Sequence, residues 1–112
     1  MFERGDLLLV PFPFSDLSAS KRRPVLALTS PDGYGDFIAL PITSRRQAEH
    51  GLPLEARDLV SGRLPAPSWI RTDRIVTLNS SLVIKQFGHV SDRVVVAAVE
   101  RFCAHIGHPA LK

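Results

Sequence analysis

The fold of this chain is decided by one stretch, residues 25–42, which reads Val25-Leu26-Ala27-Leu28-Thr29-Ser30-Pro31-Asp32-Gly33-Tyr34-Gly35-Asp36-Phe37-Ile38-Ala39-Leu40-Pro41-Ile42. Within it, two apolar runs, Val25–Leu28 and Phe37–Ile42, flank a segment rich in Gly, Pro, Asp and Ser, which are turn-forming residues. This pattern predicts two antiparallel strands joined as a hairpin. Arg23 precedes the first strand and Thr43 follows the second, so strand pairing would place these two side chains side by side.

Other short apolar runs predict further strands, at Leu7–Val10, Leu52–Leu54, Trp69–Leu78 (one or two strands) and Ile84–Val90. The segment Arg57–Pro67 is polar and contains prolines, and is predicted to be irregular. After Ser91, a possible N-cap, apolar residues recur at three- and four-residue steps as far as Ile106, which predicts an amphipathic helix ending before Gly107. Short strands followed by one terminal helix predict a mainly β fold, a small twisted barrel with a helix packed on it.

The composition is that of one globular domain spanning residues 1–112, with 45% hydrophobic and 22% charged residues. Fourteen Lys and Arg against eleven Asp and Glu give a net charge of +3, which permits a polyanionic partner without requiring one. Cys103 is the only cysteine, which rules out an intramolecular disulfide and favours the reducing cytoplasm. We expect neither a secretory signal in Met1–Pro11 nor a membrane span.

An arginine and a threonine at neighbouring strand ends form the outline of a phosphodiester site. A guanidinium is a planar, permanently charged fork that suits phosphate oxygens, and a nearby hydroxyl can hydrogen-bond to the same group. The plainer alternatives are a surface cation for Arg23 and, for Thr43, a strand-end residue whose hydroxyl caps a turn. The residues by themselves leave both alternatives open.

Four blocks occur together in this chain: Gly-Asp-Leu-Leu-Leu-Val-Pro-Phe-Pro-Phe-Ser-Asp-Leu-Ser at 5–18, Lys-Arg-Arg-Pro-Val-Leu at 21–26, Asp-Phe-Ile-Ala-Leu-Pro-Ile-Thr-Ser at 36–44, and Arg-Thr-Asp-Arg-Ile-Val-Thr-Leu at 71–78. In this order they resemble the MazF/PemK family of type II toxin–antitoxin toxins, and the resemblance covers most of the chain. It implies an SH3-like small barrel with a C-terminal helix, assembled as a cytoplasmic homodimer.

The resemblance also implies an endoribonuclease that cleaves single-stranded RNA without a metal or other cofactor and is silenced by a cognate acidic antitoxin. By position, Arg23 and Thr43 match the family's catalytic arginine and threonine. RNA supplies its own nucleophile, because a ribose 2′-OH can attack the adjacent phosphorus and leave a 2′,3′-cyclic phosphate and a 5′-OH. Arg23 is therefore predicted to stabilise the charge on the phosphoryl oxygens, and Thr43 to hydrogen-bond a phosphoryl oxygen or the 2′-OH.

Seven further residues are predicted to contact the RNA: Phe14, Asp16, Lys21, Arg22, Arg45, Arg46 and Arg74. The basic ones would form a phosphate track along the strand ends. Arginine has a pKa above about 12, so water or Asp16, which is the acid of the first loop, would accept the proton. Phe12, Phe14 and Trp69 have the rings to stack on bases, although aromatic residues of this size more often belong to the core.

Two other classes of function stay open on this sequence. One is a non-enzymatic inhibitor that binds a protein target, as the related CcdB fold does with gyrase; the other is an RNA- or DNA-binding barrel without chemistry, in which Thr43 is dispensable. Histidine catalysis is not favoured, because His50 lies in a predicted loop, His89 near a strand end, and His105 and His108 at the end of the predicted helix, where histidines are common. A metal site is not favoured either, because the His105/His108 pair lacks further ligands.

Overall fold

Eight β-strands and one α-helix form the described part of the chain in the computed structural model, which covers residues 2–11, 22–46 and 49–107. In chain order they are β1 (Asp6–Pro11), β2 (Arg22–Ala27), β3 (Asp36–Thr43), β4 (Gly51–Leu54), β5 (Leu59–Gly62), β6 (Ser68–Arg71), β7 (Val76–Asn79), β8 (Lys85–Val90) and α1 (Asp92–His105). Two short 3-10 helices lie at Ala56–Asp58 and Ser80–Leu82.

The strands form one antiparallel sheet in the order β4-β6-β3-β2-β1-β8-β5, with β7 paired to β3 beside this path. The sheet curls into a half-barrel that carries a single helix, so the predicted mainly β fold with a C-terminal helix is confirmed. The predicted hairpin is also confirmed, because β2 and β3 pair from Ala27 opposite Ala39 to Val25 opposite Pro41.

Strand β5 lies in a segment that the sequence pattern predicts to be irregular, and that prediction is wrong. Leu59 and Ser61 pair with Val90 and His89 of β8, so a partner distant in sequence supplies the hydrogen bonds that make this polar stretch a strand. Gly62, with a φ of +86°, permits the close approach, because a Cβ at this position would overlap the carbonyl oxygen of Phe87.

The alternation of side chains along the strands produces two apolar cores, one on each face of the sheet. On the face that α1 covers, the buried residues are Leu7, Leu26, Leu40, Ile42, Leu54, Ile70, Val90, Val94, Val95 and Ala98. On the opposite face the buried residues are Leu8, Val10, Val25, Ala27, Phe37, Ala39 and Leu78. We call these the helix face and the opposite face.

Helix α1 begins where the N-cap signal predicts, but without the side-chain hydrogen bond that an N-cap serine ordinarily makes. Ser91 occupies the N-cap position, yet its hydroxyl makes no capping bond, and Oγ is buried without a partner among the described residues. The helix ends before Gly107, whose φ of +90° suits a glycine. Within the described ranges, no helix has the length and apolar character needed to cross a membrane.

Candidate functional site

Arg23 and Thr43 lie at the same end of the β2–β3 hairpin and on the same face of the sheet. The last bridge between these strands joins Val25 to Pro41, and each site residue lies two positions beyond it. Side chains two apart in a strand share a face, and Val25 belongs to the core of the opposite face. The guanidinium and the hydroxyl therefore both project on the side of the sheet away from α1.

Arg23 is held by β2, in a position directly opposite Val10 of β1. Arg23 as a whole is half-buried, and its Nε is fully buried without a hydrogen-bond partner among the described residues. Leaving a buried donor unpaired costs about 1–3 kcal/mol, so native proteins rarely do so without a use for the group. An acceptor from a ligand, such as a phosphate oxygen, would satisfy this N–H.

Thr43, the half-buried last residue of β3, accepts a hydrogen bond at Oγ1 from the Arg45 backbone N–H at 3.1 Å. The turn-capping alternative is therefore real, but it is compatible with a site. A threonine hydroxyl that accepts one bond keeps its own O–H to donate. The contact with Arg45 fixes the oxygen and leaves the donor for a ligand.

A bulge lies beside the end of β3, because β6 and β7 pair with the same edge of that strand in different registers. Ile70 of β6 lies opposite Ile42, and Val76 of β7 lies opposite Ala39. Residues 71–75 thus stand opposite only Leu40 and Pro41 of β3. Bulges of this kind redirect side chains and are common next to active sites.

The bulge carries an ion pair that the sequence analysis missed. Arg71 donates to Asp73 from Nε to Oδ1 at 2.9 Å and from Nη2 to Oδ2 at 2.8 Å, and the side chains are only 19% and 14% exposed. The hydrogen bond from Arg71 lowers the pKa of Asp73, against the opposing effect of burial, and it raises the pKa of Arg71. The sequence signal for this ion pair was an arginine and an aspartate two positions apart, Arg71 and Asp73, in a segment that is predicted to form strands.

The predicted RNA contacts divide into three groups. Arg45 and Arg46 are exposed two and three residues after Thr43, and Arg74 is exposed directly after Asp73. Arg22 is exposed too, but alternation along β2 places it on the other face from Arg23. The remaining predicted contacts lie outside the described residues: Phe14, Asp16 and Lys21.

Several arginines near the end of the β2–β3 hairpin form no salt bridge with a carboxylate among the described residues. Among the described residues, none of the ion pairs involves Arg23, Arg45, Arg46 or Arg74. Arg71 is the exception, since Asp73 neutralises it. A cluster of unpaired cations with one half-buried member suits a polyanion.

A second polar network, also missed from the sequence, joins β1 to β8. Asp6, which is 4% exposed, accepts at Oδ1 from Gln86 Nε2 at 2.9 Å, contacts His89 Nδ1 at 2.7 Å, and accepts at Oδ2 from the Glu3 backbone N–H at 2.8 Å. Asp6 begins the strand on which Val10 faces Arg23, about 13 Å away along β1. The network therefore braces the scaffold and lies apart from the site.

Two further histidines of the described residues contact each other. His50 packs edge-on against His105, with ring centroids 4.9 Å apart. Over residues 2–11, 22–46 and 49–107, no group of three or more His, Cys, Asp or Glu side chains has the arrangement of a metal site.

Comparisons with known proteins agree with this architecture. A family model described as "PemK-like, MazF-like toxin of type II toxin-antitoxin system" matches residues 3–106. A search of the curated proteins gives no match.

Solved structures of similar fold include MazF from Deinococcus radiodurans, with a TM-score of 0.75, 20% identity and coverage of 95% of this chain and 96% of that chain. A chain of the MazE–MazF complex from Deinococcus radiodurans has a TM-score of 0.71, 21% identity and 95% coverage of both chains. An endoribonuclease in complex with its cognate antitoxin, from a mycobacterial species, has a TM-score of 0.72, 17% identity and coverage of 97% and 98%. These likenesses show the shared fold, and since the family model spans nearly the whole sequence, the chain belongs to the family of PemK-like, MazF-like toxins of type II toxin–antitoxin systems.

Proposed function

We propose that this toxin is a metal-independent endoribonuclease that cleaves single-stranded RNA by attack of a ribose 2′-OH on the adjacent phosphorus. The bond between phosphorus and the 5′ oxygen breaks as the new bond forms, so the products are a 2′,3′-cyclic phosphate and a 5′-OH whose oxygen takes its proton from water. The observation that carries the proposal is the position of half-buried Arg23, whose Nε has no partner among the described residues, at the same strand ends and on the same face as the Thr43 hydroxyl.

In this mechanism the RNA supplies the nucleophile and the protein supplies charge and alignment. Negative charge grows on the phosphoryl oxygens in the transition state, and N–H groups of Arg23 stabilise it in a partly desolvated position where electrostatic interactions are strong. The O–H of Thr43, whose oxygen is fixed by Arg45, donates to a phosphoryl oxygen or to the 2′-OH. The cation and the nucleophile are thus provided without a metal ion, and water or Asp16 accepts the proton.

The exposed cations around this pair would bind the phosphates on either side of the cleaved bond. Arg45 and Arg46 continue the chain beyond Thr43, and Arg74 lies at the end of the bulge. Each neutralised phosphate of a single strand lowers the slope of log K against log salt by about 0.7. Binding of RNA should therefore weaken steeply as salt rises.

The cognate antitoxin would use the same cations. Among the similar solved structures are a MazE–MazF complex and an endoribonuclease in complex with its cognate antitoxin. We infer that an acidic antitoxin segment orders over the cluster around Arg23 and excludes RNA. An acidic segment that left RNA binding unchanged in competition would contradict this mode of inhibition.

Homodimer assembly and cytoplasmic location stay predictions. The first can be measured by light scattering.

The experiment that tests the proposal is cleavage of a long single-stranded RNA in EDTA, with the cut ends mapped. Wild type should cut at discrete positions, and Arg23→Ala and Thr43→Ala should each lower the rate about 10²–10³-fold. Arg93→Ala is the matched control, because Arg93 is 80% exposed on α1 and should leave the rate unchanged. Replacing the scissile 2′-OH by hydrogen should abolish cleavage and preserve most binding. No cleavage by any form would favour a CcdB-like inhibitor of a protein target.

A further inference from the structure

We propose that the indole of Trp69 is the platform on which an unpaired nucleobase next to the scissile phosphate stacks. The inference rests on the proposed function and identifies the residue that seats the substrate in register. Trp69 lies on β6 directly opposite Thr43 of β3, with Pro53 of β4 directly opposite on its other side.

Because side chains alternate along β6, Trp69 projects away from the helix face of the sheet. Ile70, its neighbour, is fully buried in the core of the helix face. Trp69 and Arg71 therefore project on the opposite face, as do Arg23 and Thr43. The two proposed catalytic side chains, Arg23 and Thr43, therefore share one side of the sheet with the indole.

Trp69 does not serve as a core residue of that face. It is half-buried and belongs to neither of the two apolar cores formed by the described residues. A large aromatic ring is ordinarily placed in a core, which is what the sequence favours for this residue. A ring outside both cores and directly opposite Thr43 is placed where a ligand held at Thr43 could reach it.

The spacing suits one nucleotide. Directly opposed residues of antiparallel strands have Cβ atoms about 4.5–5.5 Å apart. A phosphate held by the Thr43 hydroxyl would therefore bring one of its two flanking bases to the indole of Trp69. Arg71, two residues further along β6 and oriented by Asp73, bounds the platform on the same face.

This arrangement specifies a class of substrate. Stacking on a side chain needs a base that is free of its own duplex, so the platform accepts single strands and rejects paired ones. Every base has a π-face, so Trp69 should contribute affinity and position with little discrimination among bases.

The chain contains one tryptophan, so its fluorescence reports directly on the platform. The probe is an RNA oligonucleotide that carries a cleavage position mapped with wild type and has its scissile 2′-OH replaced by hydrogen. We expect the fluorescence of wild type to be quenched in step with binding measured by anisotropy, and the corresponding duplex to give no quenching. Trp69→Ala should bind about 10- to 100-fold more weakly, and Trp69→Phe should recover most of the affinity.

Tyr34→Ala is the matched control, because Tyr34 is an aromatic residue 88% exposed in the turn before β3, at the other end of that strand from Thr43. It should bind RNA as wild type does. Thermal melts of the Trp69 variants separate a loss of fold from a loss of contact, and Trp69→Phe keeps the test valid if Trp69→Ala unfolds.

An abasic scan of the oligonucleotide decides the placement. Removing the base at one position beside the scissile phosphate should weaken RNA binding by wild type. The same change should not further weaken RNA binding by Trp69→Ala. Equal losses of RNA affinity in both proteins at every position, or unchanged fluorescence at saturating RNA, would contradict the stacking role of Trp69. Cleavage that depends on Arg23 could still be observed in that case, and the proposed function would be unaffected. A protein that neither binds nor cleaves RNA would overturn the platform and the proposed function together.

Discussion

The carboxylate of Asp73 is held by two N–H groups of Arg71, at 2.9 Å from Nε to Oδ1 and 2.8 Å from Nη2 to Oδ2. This pair is built on a bulge, so it stands beside the end of β3 rather than within the regular sheet. It neutralises one arginine near the candidate site and leaves the charge of Arg23 and Arg74 unpaired among the described residues. The pair also makes stability depend on pH.

Asp73→Asn should lower the free energy of unfolding at pH 7 by about 1–3 kcal/mol, because Arg71 loses a charged partner. The pKa of Asp73 is lowered in the folded state, so the pair stabilises fully above the ordinary aspartate pKa of about 3.9 and loses this contribution as the pH falls through the folded value. Urea unfolding at pH 7, 5 and 3 should show the wild-type advantage shrinking toward pH 3. Asp92→Asn, at a side chain 83% exposed, is the control, and equal pH profiles for wild type and Asp73→Asn would contradict the assignment.

Arg23→Met should lower the cleavage rate about 10²–10³-fold and yet raise the free energy of unfolding, by up to about 1 kcal/mol. The substitution removes a buried Nε that has no partner among the described residues and keeps an apolar stem in its place. Thermal melts and RNA cleavage measured on the same preparation check both halves. A clear loss of stability would mean that Arg23 holds the fold together and would weaken its assignment to the site.

Ser91→Ala should leave stability unchanged or slightly increased, although replacing an N-cap serine ordinarily costs about 0.5–2 kcal/mol. The reason is that Ser91 Oγ makes no capping bond and is buried with no partner in the part of the chain that the structure describes. Asn79→Ala provides the contrast. Asn79 accepts from the Ser81 N–H and donates to Tyr34 O and Asp36 Oδ1, so its loss should destabilise by about 1–2 kcal/mol. Chemical denaturation of the two variants should therefore separate them, and a destabilised Ser91→Ala would show that the hydroxyl does cap α1.

Asp6→Ala should be the most destabilising of these changes, with a loss of about 3–5 kcal/mol. It leaves Gln86, His89 and the Glu3 N–H without their shared acceptor at a position only 4% exposed. Glu100→Gln, at an exposed acid on α1, should change stability by less than about 0.5 kcal/mol. A mild effect of Asp6→Ala in urea unfolding would mean that water replaces the carboxylate and that the brace between β1 and β8 is weak.

Local sequence patterns were sufficient for the elements whose signals lie within a few residues. The turn residues between Val25–Leu28 and Phe37–Ile42 produce the β2–β3 hairpin, and the period of the last segment produces α1. The hairpin also determines that Arg23 and Thr43 end up at one end of two paired strands. Turn chemistry and side-chain periodicity act over a short span of chain, so they can be read without the rest of the molecule.

Tertiary structure decided the features that need a distant partner. Leu59–Gly62 becomes a strand because β8 pairs with it, and Asp6 meets His89 across 83 residues of sequence. The register of β6 against β3 places Trp69 opposite Thr43. The bulge that contains Asp73 arises because β6 and β7 pair with β3 in different registers. Thus the sequence by itself determined the hairpin, the helix and the pair of candidate catalytic residues, whereas the pairing of strands far apart in the chain decided what surrounds that pair, because such pairing depends on the packing of both cores together.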